Sequence, residues 1–255
     1  MSNYRLLWLL AAAAFPALTA SAALTHRYSF NDGSAADSAG TVGGKLVGKG
    51  AGVTAGKLWL TNDASATSEA CAHLQFAGSL LPTNGSVSLA VWFTVRNAGD
   101  FARIFDFGVT EGSDGMRFIY FSPRTSEGTA RAAITASDLT TKTAVDFDPL
   151  DDGKPHMVVM VVDGGEKKLR VYADGHGVGT VESLGENTVD KVTPVNNWLG
   201  RSSFPDNPAL NGSIDEFRVY DHALTGPEVA ALFKSGPDVL PAATPPAADS
   251  HPNVK

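Results

Sequence analysis

Ser86-Val87-Ser88-Leu89-Ala90-Val91-Trp92-Phe93-Thr94 alternates: Val87, Leu89, Val91 and Phe93 fall on one side, and Ser86, Ser88, Ala90 and Trp92 on the other. A period of two belongs to an extended strand, whose successive side chains point to opposite faces. One face is built for a core. The other is small except for Trp92, which predicts a face that is half-exposed or covered by a neighbouring strand.

Working outward, Arg117 to Phe121, Pro155 to Val162 and Leu169 to Ala173 repeat the theme. Asp174-Gly175 follows the last of these and predicts a type I′ hairpin, a turn that needs positive φ at both central residues. Asp163-Gly164-Gly165 marks another tight turn. About 12 to 14 such segments lie between Leu24 and Tyr220, which predicts an all-β sandwich of two packed antiparallel sheets. A single helix is expected at 226–234. Thr225 and Glu228 have capping-box spacing, Val229, Leu232 and Phe233 share a face, and Gly236-Pro237 ends it. Residues 237–255, with Pro, Ala, Ser and Asp and no apolar period, are expected to be a disordered tail or the stump of a linker, whose removal leaves stability unchanged.

The chain has 255 residues, with 20 Lys and Arg against 27 Asp and Glu, for a net charge of −7. A nucleic-acid partner asks for the opposite sign. Residues 1–23 carry Arg5, an apolar run from Leu6 to Leu18 and Ala20-Ser21-Ala22, the layout of a cleavable export signal. The run is shorter than the ~20 residues that span a bilayer, and no later stretch is long and apolar enough, so no transmembrane segment is expected in the mature chain. Removing Arg5 leaves 19 basic against 27 acidic residues, a charge of −8. A secreted, periplasmic or cell-surface location follows. Cys71 is the sole cysteine, which excludes an internal disulfide and a Cys-rich zinc site. It sits in Ala70-Cys71-Ala72-His73-Leu74 and reads as a buried small hydrophobe.

Four fragments in order resemble the laminin-G-like branch of the concanavalin A-like lectin/glucanase superfamily. His26-Arg27-Tyr28-Ser29-Phe30-Asn31-Asp32 with Ala36-Asp37-Ser38-Ala39-Gly40 is similar to that family's first strand and "D-S-S-G" loop. Pro155-His156-Met157-Val158-Val159-Met160-Val161-Val162-Asp163-Gly164 resembles "W-H-H-V-A-V-T-Y-D-G", with Pro155 standing where an aromatic is usual. Leu169 to Gly175 resembles the "L-Y-V-D-G" hairpin. Trp198-Leu199-Gly200-Arg201-Ser202 with Gly212-Ser213-Ile214-Asp215-Glu216-Phe217-Arg218-Val219-Tyr220 and Ala223-Leu224 resembles "L-G-x-S … G-x-I-D-E-V-R-I-Y-x-x-A-L". The resemblance implies a concanavalin A-like jelly roll over residues 24–236. That fold hosts lectins, adhesion modules, lyases and glucanases alike, so it leaves function open.

Glycoside hydrolysis needs two carboxylates facing each other across a sugar. The "E-x-D-x-E" of the family's hydrolases is missing from the sequence, and Asp215 and Glu216, as strand neighbours, are expected on opposite faces. Asp146 and Asp148 have the spacing but lead into an acidic turn. The six histidines are scattered, without an H-E-x-x-H or G-x-S-x-G pattern. The reading is therefore a secreted non-catalytic module that binds a glycan or an extracellular protein. The alternatives are a hydrolase or lyase with a degenerate motif, and a structural envelope protein. Phe204, Trp198 and Trp59 are the rings nearest Gly- and Asn-rich loops and are the candidate ligand contacts. Core packing is the competing reading for the two tryptophans. The resemblance also implies a structural calcium ion where the first and last strands meet, held by Asp32, Asp37 and Asp215. The competing reading has Asp32 and Asp37 making turns and Asp215 paired with Arg27 or Arg218.

Overall fold

The computed structural model describes residues 23–240; residues 1–22 of the expected export signal and residues 241–255 lie outside them. In chain order the first strands are β1 (Leu24–Tyr28), β2 (Gly44–Val47), β3 (Ala51–Thr54), β4 (Lys57–Leu60) and β5 (His73–Phe76). Next come β6 (Val87–Arg96), β7 (Phe105–Glu111), β8 (Asp114–Ser122), β9 (Ala130–Ile134) and β10 (Thr143–Phe147). Then follow β11 (Asp152–Asp163), β12 (Lys168–Ala173), β13 (His176–Val181), β14 (Asn196–Leu199), β15 (Gly212–Tyr220) and the helix α1 (Gly226–Ser235).

These strands form two antiparallel sheets. An eight-stranded sheet runs β13-β12-β11-β6-β15-β4-β3, with β1 on the other half of β15, and a seven-stranded sheet runs β10-β9-β8-β7-β14-β5-β2. The first strand thus lies beside the last, Tyr28 opposite Phe217. The expected all-β jelly-roll-like sandwich with one short C-terminal helix is what forms.

Val87, Leu89, Val91, Phe93 and Val95 of β6 enter the core between the sheets. There Phe217 meets Phe76, Phe105 and Phe107 at centroid distances of 6.1, 5.8 and 6.0 Å, the spacing at which aromatic pairs add to the gain from burial. The opposite face of β6 is also covered, by the helix. Ala90 and Trp92 join Met157, Val159, Val161, Tyr220, Leu224, Val229 and Leu232 in a second apolar cluster. Ser88 fixes the approach to that helix: its Oγ donates to the His222 carbonyl (2.7 Å) and accepts from the Leu224 amide (2.9 Å).

Local signals hold where the structure tests them. Asp174 and Gly175 have φ of +49° and +81°, as a type I′ turn requires. Thr225 and Glu228 form the reciprocal capping box, with Pro227 in the first turn. Pro155 is tolerated in β11 because β12 begins to pair only at Val158, so its missing N–H costs no bond on that side.

One boundary moves. The expected tail does not begin at 237: the carbonyls of Pro237 and Val239 accept from Arg218 Nη2, and that of Asp238 accepts from Arg27 Nη2 (3.2 Å). Asn31 also donates to the Asp238 carboxylate (2.5 Å). Residues 237–239 are docked on the outer face of the eight-stranded sheet because two arginines there need acceptors.

Candidate functional site

Register assembles the outer face of the seven-stranded sheet. Because Phe105, Phe107, Ile119 and Phe121 point into the core, their neighbours point out. Ala144, Ala133, Tyr120, Asp106, Trp198, Gln75 and Lys45 are successive register partners and form one outward row across the sheet.

Two loops close over this row. Arg103, 2% exposed, lays its guanidinium 3.6 Å from the Tyr120 ring centroid, with Phe101 and Phe204 at 5.7 and 5.9 Å. A cation over a desolvated aromatic face is a strong contact. Arg103 also pairs with Asp106 at 3.4 Å and donates to the Phe101 carbonyl at 2.8 Å. Ser203 donates to Asp106 through its amide (2.9 Å) and hydroxyl (2.7 Å). Burial pushes the Asp106 carboxyl up, against the opposing pull of Arg103 and Ser203. Phe101 has φ of +64°, a left-handed conformation that a bulky residue keeps only when its surroundings demand it.

Above this inner layer the rim is half-exposed. Phe204 stands edge-on to Phe118 at 5.9 Å and passes so close to β8 that a Cβ on Gly115 would lie 2.4 Å from its ring. Glycine at 115 is what admits it. Arg131 makes a two-pronged pair with Asp146 (2.6 and 2.8 Å) and lies 5.8 Å from the Phe101 ring. Asp146 raises the Arg131 pKa still further by accepting these bonds. The rim is thus two half-exposed rings beside a guanidinium–carboxylate fork, with apolar surface and hydrogen-bonding groups close together.

The three aromatic candidates have different fates. Phe204 is part of this site. Trp198 lies in the same outward row but is only 8% exposed, capped by the Arg201 guanidinium at 4.3 Å and touched edge-on by His73. Trp59 is on β4, on the outer side of the other sheet, 43% exposed, with its Nε1 donating to the Thr54 carbonyl (3.3 Å).

The expected calcium carboxylates are not brought together as a site. Asp32 accepts from the amide and hydroxyl of Ser34. Asp37 pairs with His26 (2.6 Å) and accepts from the amides of Arg27, Ala39, Gly40 and Val42. Asp215 pairs with Lys57 at 2.6 Å. Each is satisfied separately, and among the described residues no group of three His, Cys, Asp or Glu side chains is arranged to hold a metal ion. Arg27 and Arg218 are at Glu216 instead.

Asp215 and Glu216 do not take the opposite faces expected of strand neighbours. β15 carries a bulge between Ile214 and Glu216, and the extra residue breaks the alternation. Asp215 and Glu216 therefore both reach partners on the outer side, Lys57 for one and Arg27 with Arg218 for the other. Both carboxylates are committed to cations.

Arg103, Asp106, Tyr120 and Phe101 were not among the sequence candidates. Their one local signal is Phe105-Asp106-Phe107, which turns a carboxylate away from the core between two inward rings.

Comparisons with known proteins agree with this architecture. No curated protein matches the chain. Among solved structures, domain 4 of a GH43 extracellular arabinanase from Geobacillus stearothermophilus, in complex with arabinotriose, superposes with a TM-score of 0.60 at 20% identity. The match covers 82% of this chain and 98% of that one. The Ruminococcus gnavus IT-sialidase CBM40 bound to alpha2,3 sialyllactose gives 0.50 at 19% identity, covering 58% and 81%. Its alpha2,6 sialyllactose complex matches at 18% identity over 58% and 82%. A family model described as the Concanavalin A-like lectin/glucanases superfamily matches residues 68–230, more than half of the sequence, and the chain belongs to that family.

Proposed function

We propose that the chain is an exported, non-catalytic carbohydrate-binding module that takes its glycan on the rim formed by Phe101, Phe204, Arg131 and Asp146. The observation that carries this reading is the pair of half-exposed rings fixed from beneath by the buried Arg103–Asp106–Tyr120 layer. Rings held in place need little ordering when a sugar stacks on them. The Arg131–Asp146 fork supplies donors and acceptors suited to neighbouring hydroxyls. Both structural relatives described above were solved with an oligosaccharide, arabinotriose in one and sialyllactose in the other. Export rests on the N-terminal residues 1–23; no helix among the described residues is long and apolar enough to cross a membrane.

The guanidinium groups at this site are paired with carboxylates and the chain is acidic overall, so neutral glycans are favoured over polyanions. The test is a glycan array followed by calorimetric titration of the strongest hit. Phe204→Ala is expected to weaken binding at least about tenfold, or about 1.4 kcal/mol, with the melting temperature kept within a few degrees. Binding unaffected by both Phe204→Ala and Arg131→Ala would overturn the placement, and a blank array would overturn the reading.

A further inference from the structure

The eight-stranded sheet carries a groove that the site above does not use. A cavity of about 400 Å³ opens along the β12–β13 hairpin, lined by Arg170, Tyr172, Gly177, Val178 and Thr180 among others. That size lies within the range of small-molecule sites. A bulge makes it: Tyr172 pairs with Gly177 and Val171 with Gly179, leaving Val178 as the extra residue on the edge strand.

The chemistry of the walls is specific. Tyr172 is partly exposed, its inner side packed on the apolar cluster beneath the helix. A Cβ on Gly177 would sit 3.8 Å from the Tyr172 ring, and one on Gly226, at the start of α1, 3.7 Å from it. These are ordinary contact distances, so side chains at either position would fit and would lie against the ring. Glycine at both positions leaves the ring reachable. Arg170 donates to Asp163 (3.0 Å) and to Glu166, and its neighbour Lys168 pairs with Glu182 (2.9 Å) and Glu166. Three carboxylates therefore surround two cations, so among the described residues the groove has no free positive charge with which to recruit an anion. What remains is a tyrosine ring, a guanidinium with donors already oriented, and an exposed threonine hydroxyl.

We infer that this groove is a second carbohydrate site, on the sheet opposite the first, and that it takes a neutral sugar ring stacked against Tyr172 with hydroxyls toward Arg170 and Thr180. The occupant is uncharged because the acidic surroundings repel a carboxylated sugar. The two sites share no residue, so the module is bivalent, and one chain can bridge two glycan strands. This inference does not depend on the site on the seven-stranded sheet.

The experiment is a titration of the uniformly ¹⁵N-labelled mature chain with lactose, cellobiose or maltose, following amide shifts, with 3′-sialyllactose as the charged counterpart. At least one neutral disaccharide is expected to shift amides of 170–180 and Gly226 in a saturable way, and sialyllactose to bind there no better than lactose. Gly177→Val, which places a side chain on the ring while leaving Tyr172 packed, is expected to weaken these shifts at least tenfold. Tyr172→Ala should do the same, and Phe204→Ala should leave them unchanged. No saturable shift in 170–180 with any of the sugars would overturn the inference, as would shifts indifferent to Gly177→Val. A stronger response to sialyllactose would overturn its neutral-sugar part. Shifts along β13 produced only by an extended peptide would identify a strand-pairing edge instead. Because Phe204→Ala acts at the other site alone, failure of either site is visible separately.

Discussion

The outer faces of the two sheets both bury arginine, but under different roofs. On the eight-stranded sheet Glu216 sits between Arg27 and Arg218, and the docked 237–239 segment closes over the two arginines. Arg218 also lies 4.7 Å over Trp92, at the border of the helix-covered cluster. On the seven-stranded sheet Arg103 and Asp106 lie beneath irregular loops, with Ser203 closing the carboxylate from above. The strap closes over the first layer. The loops stop short, and at their margin Phe101, Phe204 and Arg131 stay within reach of solvent. The contrast sets a charge layer closed by a strap on one side against a similar layer on the other that holds two half-exposed rings in place.

The largest effect expected from breaking this arrangement is at Glu216. Removing one partner from a buried pair leaves an uncompensated charge, typically costing about 3–5 kcal/mol. Glu216→Ala strands two guanidinium groups, one of them fully buried, whereas Asp106→Ala strands one. Urea denaturation should show both variants destabilised, Glu216→Ala the more. The reverse order would mean that the loop-covered layer is the tighter of the two.

Next is the strap. Ending the chain after Gly236 removes the carbonyls that accept from Arg27 and Arg218. Hydrogen bonds to charged groups contribute about 1.5–3 kcal/mol each, but ordering each strap residue costs about 1–2 kcal/mol and water reaches the freed arginines. A net loss of about 1–2 kcal/mol is expected, seen as a fall of a few degrees in melting temperature. Ending the chain after Leu240 should show no such loss. Equal melting temperatures for the two truncations would show the strap to be passive.

A buried histidine on the seven-stranded sheet gives stability a pH dependence. His73 is 1% exposed and its Nδ1 lies 3.0 Å from the Cys71 carbonyl. Burial pushes its pKa down; the Cys71 carbonyl pulls it up, and Arg201 adds to the fall. With the folded value below the unfolded one of about 6.5, the unfolded chain binds more protons in between, so stability rises with pH there. The loss therefore sets in as pH falls below about 6.5. His73→Phe should flatten the slope of melting temperature between pH 5 and 7. An unchanged slope would place the titrating group elsewhere.

Much of the fold is legible from local chemistry, and the site is not. The alternation around Val87–Phe93, the Asp174-Gly175 turn and the Thr225/Glu228 box depend on residues a few positions apart, and each is found where expected. The Asp215/Glu216 reading fails because a single bulge residue undoes a period-two argument. The strap escapes notice because its contribution is largely backbone carbonyls, which carry no sequence signature, to arginines about 20 and 210 residues away. Arg103, Tyr120 and Phe204 meet through a loop, a strand and a second loop, and no spacing rule connects them. Phe204 was legible as a loop ring; that Arg103 supports it from below was not.

The smallest effect concerns calcium at the junction of β1 and β15. The ion asks for six to eight oxygen ligands, yet Asp37 is already committed. Burial alone would raise its carboxyl, but His26 and the amides of Arg27, Gly40 and Ala39 outweigh that and hold it below the ordinary value. Asp215 is 2.6 Å from a lysine ammonium, which a calcium ion would have to displace. Binding weaker than about 1 mM adds no more than about 0.4 kcal/mol at 1 mM calcium, by mass action. The expected change in melting temperature between chelator and millimolar calcium is then about 1 °C or less. Lys57→Ala sharpens the test by freeing Asp215: a calcium response that appears only in that variant would show the lysine to be what occupies the position. A rise of several degrees in the unaltered protein, lost in Asp215→Ala, would mean instead that Asp32, Asp37 and Asp215 rearrange around the ion and that the lysine pair gives way to it.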